Sequence, residues 1–318
     1  MVMAMASDLL RISALARRFA GGNGVCDISF SVPPGSVTGF IGVNGAGKST
    51  TLRCVMGLLE PDAGKIQLFG APADAAARRR IGFLPEERGL FPHERARDAV
   101  AFHGRLKGMR RRDAFDAADR LLERIGLGAR RYDRLTTLSK GNAQRVQVLC
   151  ALVHDPKLLL LDEPLSGLDP IGQVEILSLL AEFRGRGGAV LFSTHSMTAA
   201  EKVCDRVVML SAGRTVFEGA MPDAAARAPH GAEIVSSDMD GLVAAAQSLG
   251  GHVVPLAAGI GEAGHWRVVL PRHVTHPALI RALAERGVPF FSFKPIEANL
   301  ESAFWNLADA QTTKRRVA

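Results

Sequence analysis

The run Gly42, Val43, Asn44, Gly45, Ala46, Gly47, Lys48, Ser49 and Thr50 has the residue types and spacing that cradle a chain of phosphates. Glycines let the backbone wrap with its N–H groups turned toward phosphate oxygens, and the N-terminus of a following helix adds positive partial charge. Lys48 has the reach to the β- and γ-phosphates, and the Ser49 hydroxyl is a ligand for Mg²⁺. Four leucines, 158 to 161, then lead into Asp162 and Glu163. Acids at the carboxyl edge of a buried strand share the ligand crevice of an open α/β sheet. Asp162 is expected to hold the Mg²⁺ shell, and Glu163 to take a proton from an attacking water.

Those side chains need a sheet to hold them. Ser36–Ile41 reads as a buried strand leading into the glycine loop, and Ser49–Leu59 as the helix after it. Ile81–Leu84, Leu158–Leu161, Ala189–Ser193 and Arg206–Leu210 are further short apolar strands, and Arg214–Phe217 closes a hairpin. Between Glu94 and Arg134 the pattern is helical and rich in arginine. A mainly parallel sheet interrupted by a helical insert fits that order. Beyond Gly219 the texture changes to a β-α-β-β-α-β order: strands at 232–236, 252–255, 266–270 and 290–293, helices at 239–249 and 277–286. A last amphipathic helix is expected from Leu300 to about Ala308, and the Lys314-Arg315-Arg316 tail is expected to fray. The domains are therefore drawn at 1–219 and 232–318, with 220–231 as a short helix plus linker.

Composition bounds the class. At about 150 residues per domain, 318 residues make about two domains. No apolar run approaches the ~18 residues of a membrane span, and the first ten residues lack the basic-then-apolar order of a secretory signal. The cysteines at 26, 54, 150 and 204 have no paired spacing, so a reduced, cytosolic setting is expected, with neither zinc site nor disulfide framework. His273 and His276 have metal-like spacing, but their Pro, Arg and Thr neighbours read as a solvated loop. The formal charge is +7, and the window from Arg78 to Arg134, with 16 basic and 9 acidic residues, holds all of that excess. Such a segment suits nucleic acid, anionic lipid or plain solvent.

Further motifs resemble the ATP-binding subunits of ABC transporters. Leu138-Ser139-Lys140-Gly141-Asn142-Ala143-Gln144 is similar to the family signature, Ser166-Gly167-Leu168-Asp169 to its D-loop, and Ser193-Thr194-His195 to its switch histidine. Phe19 occupies the place of the aromatic that stacks on adenine, and Glu86, with Glu87 as the alternative register, the place of the Q-loop glutamine. The resemblance implies a P-loop NTPase of ABC type, a mixed sheet with a helical subdomain at about 92–155, followed by a small α+β, ferredoxin-like domain. It implies ATP and Mg²⁺ as cofactors, with Ser49, Glu86 and Asp162 around the metal and Glu163 and His195 as catalytic residues. It also implies that Ser139, Lys140, Gly141 and Asn142 act in trans on nucleotide held by a second copy, with Asp169 linking the two sites.

The LPEERGL run at 84–90, the signature and the acidic-hydrophobic Pro295–Phe304 segment resemble ABC-2-type exporter subunits, including sodium-efflux ones. Partners implied are a separate membrane-spanning permease and a second ATP-binding subunit, identical or not, with an anionic lipid surface as a candidate for the basic segment and no nucleic acid. The expected location is cytoplasmic, peripheral on the inner face of the cell membrane. Two other readings compete: a soluble ABC-type ATPase acting on DNA or ribosomes, and a regulatory module with weak turnover. Against the first stand a single set of motifs and the short separation of Lys48 from Ser139. Two departures alter charge: Glu86 replaces an amide, and Lys140 with Asn142 replaces Gly-Gln in the signature.

Overall fold

A computed structural model describes residues 7–21, 24–87, 89–257 and 264–317, with side chains through residue 308. The chain divides into two compact units, Met1–Met221 and Pro222–Ala318.

The first unit contains β1 (Leu10–Arg18), β2 (Gly24–Val32), β3 (Val37–Ile41), β4 (Ala63–Leu68), β5 (Ala71–Pro72), β6 (Ile81–Leu84), β7 (Leu158–Asp162), β8 (Ala189–Thr194), β9 (Arg206–Ser211) and β10 (Arg214–Ala220). They form one ten-stranded sheet in the order β5-β4-β1-β2-β10-β9-β3-β8-β7-β6. From β9 to β6 the neighbours are parallel, while β1, β2, β4 and β5 pair antiparallel. Strands β3, β7 and β8 are buried along their whole length, which is why they appear in the sequence as unbroken apolar runs. Strands β1 and β2 carry the alternating pattern of half-exposed strands, interrupted in β1 by register shifts. Those shifts blur the period of two, and neither strand is legible from the sequence.

The helices are α1 (Lys48–Val55), α2 (Ala75–Arg79), α3 (Ala96–Leu106), α4 (Arg111–Arg124), α5 (Lys140–Leu152), α6 (Pro170–Gly185) and α7 (Met197–Val203). Helix α1 ends at Val55 rather than Leu59, because the chain turns at Gly57 with φ +72°. Helices α3, α4 and α5 fill the insert between β6 and β7, as expected. Its arginines are not a uniform solvated patch. Arg97 grips Asp119 with two bonds of 2.7 and 2.6 Å, Arg130 pairs with Asp133 at 2.8 Å, and Arg110 with Asp113 at 2.7 Å. Ahead of the insert, in the same basic window, Arg78 donates to the carbonyl of Val55, and the Arg80 guanidinium stands 3.9 Å above the Phe69 ring. Arg88 lies outside the described residues.

The second unit adds α8 (Met221–Ala225), β11 (Gly231–Ser236), α9 (Met239–Ser248), β12 (His252–Ala257), β13 (Gly264–Val269), α10 (His276–Glu285), β14 (Ser292–Pro295) and α11 (Leu300–Val317). Its sheet order β12-β13-β11-β14, antiparallel throughout, is ferredoxin-like. Ala232, Ile234 and Val268 on one sheet face pack with Leu242 of α9 and Leu279 and Leu283 of α10.

Residues 220–231 contain the expected short helix, α8 at Met221–Ala225; Ala224 and Ala228 are buried, and Arg272 binds the carbonyls of Ala226 and Ala228. The last strand lies at Ser292–Pro295, two residues later than the apolar run suggested, because pairing with β11 sets its register and leaves Phe290 and Phe291 exposed. Helix α11 runs on to Val317, past the end expected near Ala308 and through the tail expected to fray. His276 opens α10 and is held by its Nε2 contact, 2.8 Å from the Gly231 carbonyl, rather than lying in an open loop.

Candidate nucleotide site

Three parallel strands end at one edge and deliver the site. β3 runs into the glycine loop, β7 into Asp162 and Glu163, and β8 into Thr194 and His195. The cavity there, about 370 Å³, is lined by Phe19, Gly24, Asn44, Gly45, Gly47, Lys48, Ser49, Thr50, Glu86, Asp162 and Glu163. Residues from four separate stretches of sequence thus meet at one crevice.

The loop is shaped for phosphate. Gly45 and Gly47 stand at φ +79° and +104°, and a Cβ on Gly47 would come within 2.3 Å of the Val25 side chain. Only glycine fits there. No side chain caps α1, so its first N–H groups are free to serve an anion. Lys48 is buried and curls back, its Nζ 2.6 Å from the carbonyl of Gly42 and 3.4 Å from that of Val43. Burial pulls its ammonium below the ordinary lysine range, opposed by Glu163, Asp162 and Glu86. An incoming triphosphate adds to the negative charge those carboxylates already place near this buried cation. Ala46 is buried, while Val43 and Asn44 are exposed on the loop's crest.

The acids are held by one serine. Ser193 Oγ donates to Asp162 Oδ1, while the Glu163 N–H donates to Ser193 Oγ at 3.1 Å and to the Ser193 carbonyl at 3.2 Å. Glu163 sits in the left-handed region at φ +50°, and its Oε1 lies 3.0 Å from His195 Nδ1. Sequence reasoning passed over Ser193; the available signal was its place at the head of the Ser-Thr-His run. Ser49 Oγ donates to Glu86 Oε2 at 3.3 Å, which selects Glu86 over Glu87. The Glu87 side chain is 90% exposed and pairs with Arg53 at 4.0 Å. Ser49, Glu86 and Asp162 present a hydroxyl and two carboxylates to the same cavity, hard oxygen donors that fit Mg²⁺.

Phe19 belongs to the cavity mouth, not to the core: it is 40% exposed, with the Arg17 guanidinium 5.6 Å from its ring centre. The signature turn lies elsewhere. Ser139 caps α5 by accepting from the Asn142 N–H at 3.2 Å, and Lys140 and Gly141 form the first helical turn. None of Ser139, Lys140, Gly141 and Asn142 lines the cavity. Asp169 caps α6, accepting from the Gly172 N–H at 2.9 Å. Gln144 Nε2 donates to the Pro164 carbonyl at 3.3 Å, and Gln147 Nε2 to the carbonyls of Pro85 and Glu87. Sequence reasoning missed both contacts of α5 with the active loops.

A parallel-sheet core, a glycine loop opening a helix and paired acids at the adjacent strand end define a P-loop nucleotide-hydrolysing domain. The family model described as ABC transporter matches residues 25–166. The Nod factor export ATP-binding protein I of Bradyrhizobium diazoefficiens (strain JCM 10833 / BCRC 13528 / IAM 13628 / NBRC 14792 / USDA 110) is 38% identical over 69% of this chain and 73% of its own. The linearmycin resistance ATP-binding protein LnrL of Bacillus subtilis (strain 168) is 32% identical over 88% of this chain and 92% of its own, a span that takes in most of the second unit. A solved ATP-binding subunit of an ABC transporter superposes with a TM-score of 0.64 at 32% identity, covering 69% of this chain and 92% of that one. The chain belongs to the ATP-binding proteins of the ABC transporter family, and its first unit is their ATPase domain. No helix among the described residues is long and apolar enough to cross a membrane.

Proposed function

We propose that two copies of this domain clamp ATP face to face and that their closing and opening drive a membrane exporter. The observation that carries this reading is the separation within one chain of the phosphate cavity from the signature turn. The cavity supplies Lys48, the acids and the loop N–H groups, and leaves one side of the bound triphosphate uncovered. A second copy, identical or not, would bring Ser139, Lys140, Gly141 and Asn142 to that side. Exposed apolar side chains beside the D-loop support burial against a partner: Ile171 is 71% and Val174 67% exposed on α6, next to Asp169.

In this reading the loop N–H groups and Lys48 bind the phosphates, and Phe19 stacks on the base. Ser49, Glu86 and Asp162 hold Mg²⁺, which supplies neutralising charge at the phosphates when bound. Glu163 takes the proton from the attacking water, and His195 holds Glu163 and grips the γ-phosphate. The chain works from the inner face of the membrane with a separate permease. Among the described residues, those insert arginines without acidic partners face anionic lipid, where each cation is worth ~1 kcal/mol.

The test is the oligomeric state of Glu163→Gln. Loaded with ATP it is expected to run as a dimer by light scattering, and without nucleotide as a monomer. A strictly monomeric loaded variant, even beside its permease, overturns the reading. Co-purification of the wild type with a multi-span membrane protein separates the exporter subunit from a soluble ATPase.

A further inference from the structure

Helix α5 begins with the signature turn, and α6 begins with the D-loop aspartate. One largely buried side chain ties the two. Arg145, 14% exposed, forms an ion pair with Glu175 of α6. Its Nη1 donates to Asn142 Oδ1 at 3.1 Å, and its Nη2 to the Ile125 carbonyl at 2.7 Å. Asn142 is in turn the residue whose N–H the Ser139 hydroxyl accepts. The guanidinium therefore reaches the signature serine through one intermediate and the D-loop helix directly.

Two other contacts bring the same segments together. A Cβ on Gly141 would lie 3.4 Å from the Gly167 carbonyl, so the signature turn rests close against the D-loop backbone. Gln144 donates to the Pro164 carbonyl two residues past Asp162. These are single contacts to backbone. Among the described residues, Arg145 alone engages the Asn142 side chain and the D-loop helix at once, with a planar fork that a lysine cannot reproduce.

We infer that Arg145 is a positioning residue: through Asn142 and Glu175 it holds the signature turn at a fixed height relative to the D-loop. Its loss is felt in the nucleotide pocket of the partner copy rather than in its own. This rests on the two-copy reading above. No atom of Arg145 lines the phosphate cavity of its own chain, so it acts only through the groups it orients.

The experiment is complementation between inactive chains. Arg145→Ala alone is expected to lose turnover by about ten- to a hundredfold, the scale of a misplaced binding group. Glu163→Gln alone is expected to be inactive because it lacks the base. In a mixed dimer, the intact Glu163 pocket of the Arg145→Ala chain meets the intact signature of the Glu163→Gln chain. Mixing the two is therefore expected to restore hydrolysis, toward about half the wild-type rate per dimer. Ser139→Ala mixed with Glu163→Gln is the reference. Arg145→Lys should recover only part of the loss, and Glu175→Gln, which keeps the side-chain volume, should complement as Arg145→Ala does.

If the Ser139→Ala mixture recovers activity while neither the Arg145→Ala nor the Glu175→Gln mixture does, Arg145 serves folding or its own pocket and the inference is wrong. If the Ser139→Ala mixture also fails, the two-copy reading falls and takes this inference with it. A variant that is inactive only through misfolding is recognised by its lowered melting temperature and by failure to complement, and Glu175→Gln then carries the decision.

Discussion

Nδ1 of His195 stands 3.0 Å from Oε1 of Glu163, and the Glu163 backbone that permits this approach is left-handed, at φ +50°. An L-residue holds that conformation at a cost of roughly 1–2 kcal/mol, so the strain persists only because the contacts to Ser193 and His195 fix it. Two substitutions separate chemistry from strain. Glu163→Gln should lower turnover by about 10²–10⁴-fold, the range of a lost general base, while still binding ATP. Glu163→Gly should be equally inactive yet melt no lower than the wild type, since glycine adopts this backbone freely. Phosphate release and thermal melting measure both. A clear drop in melting temperature for Glu163→Gly would mean that the conformation carries no strain.

Ser193 is fully buried and serves both acids. Ser193→Ala removes the hydroxyl donor from the buried Asp162 carboxylate, while the Glu163 N–H keeps the backbone carbonyl at position 193. The expected destabilisation is about 1–3 kcal/mol, read from the shift of a denaturant midpoint. Turnover should fall as well, with ATP binding largely kept because the glycine loop is untouched. Wild-type turnover in Ser193→Ala would show that neither acid needs this support.

Glu86 adds a negative charge beside the phosphates, and Lys140 brings a positive one to the signature. Glu86→Gln should tighten ATP binding and Lys140→Gly weaken it. If the two-copy reading proposed above holds, the two charges offset each other across the closed dimer, and the double variant should depart from additivity by about 1 kcal/mol. Titration with a fluorescent nucleotide gives the four affinities. Simple additivity would mean that the charges do not meet.

His154 follows α5, and burial, aided by the ammonium of Lys107, pushes its imidazole down to about 4. Asp155 opposes the shift, and His103 adds to it. Below about pH 6.5 an unfolded chain protonates this residue while the folded one does not. The unfolded state then binds more protons, so stability falls with pH between about 6.5 and 4. His154→Leu should flatten that part of a melting-temperature profile. An unchanged slope would assign the acid sensitivity to other groups.

The phosphate loop, both acids and His195 were legible in the chain because each sits at the end of a strand buried on both faces. Such strands leave unbroken apolar runs, and parallel order forces their carboxyl ends to one edge. The choice between Glu86 and Glu87 was not legible. Adjacent carboxylates are equivalent in a sequence, and only the turn after β6 aims one at Ser49 and the other at solvent.

The second unit's order of elements was readable from its alternating periods, yet β14 lies two residues later than its most apolar stretch. Local hydrophobicity marks what prefers to be buried; the ladder to β11 decides which residues have partners. The same limit hid Ser193, Gln144 and Arg145. Their roles come from hydrogen bonds and ion pairs between segments far apart in the chain, and no spacing encodes those. By itself the sequence determined the chemistry, through side-chain types that only a phosphate site needs together. Tertiary structure alone decided which neighbours aim those side chains, because orientation depends on contacts that exist only once the sheet has closed.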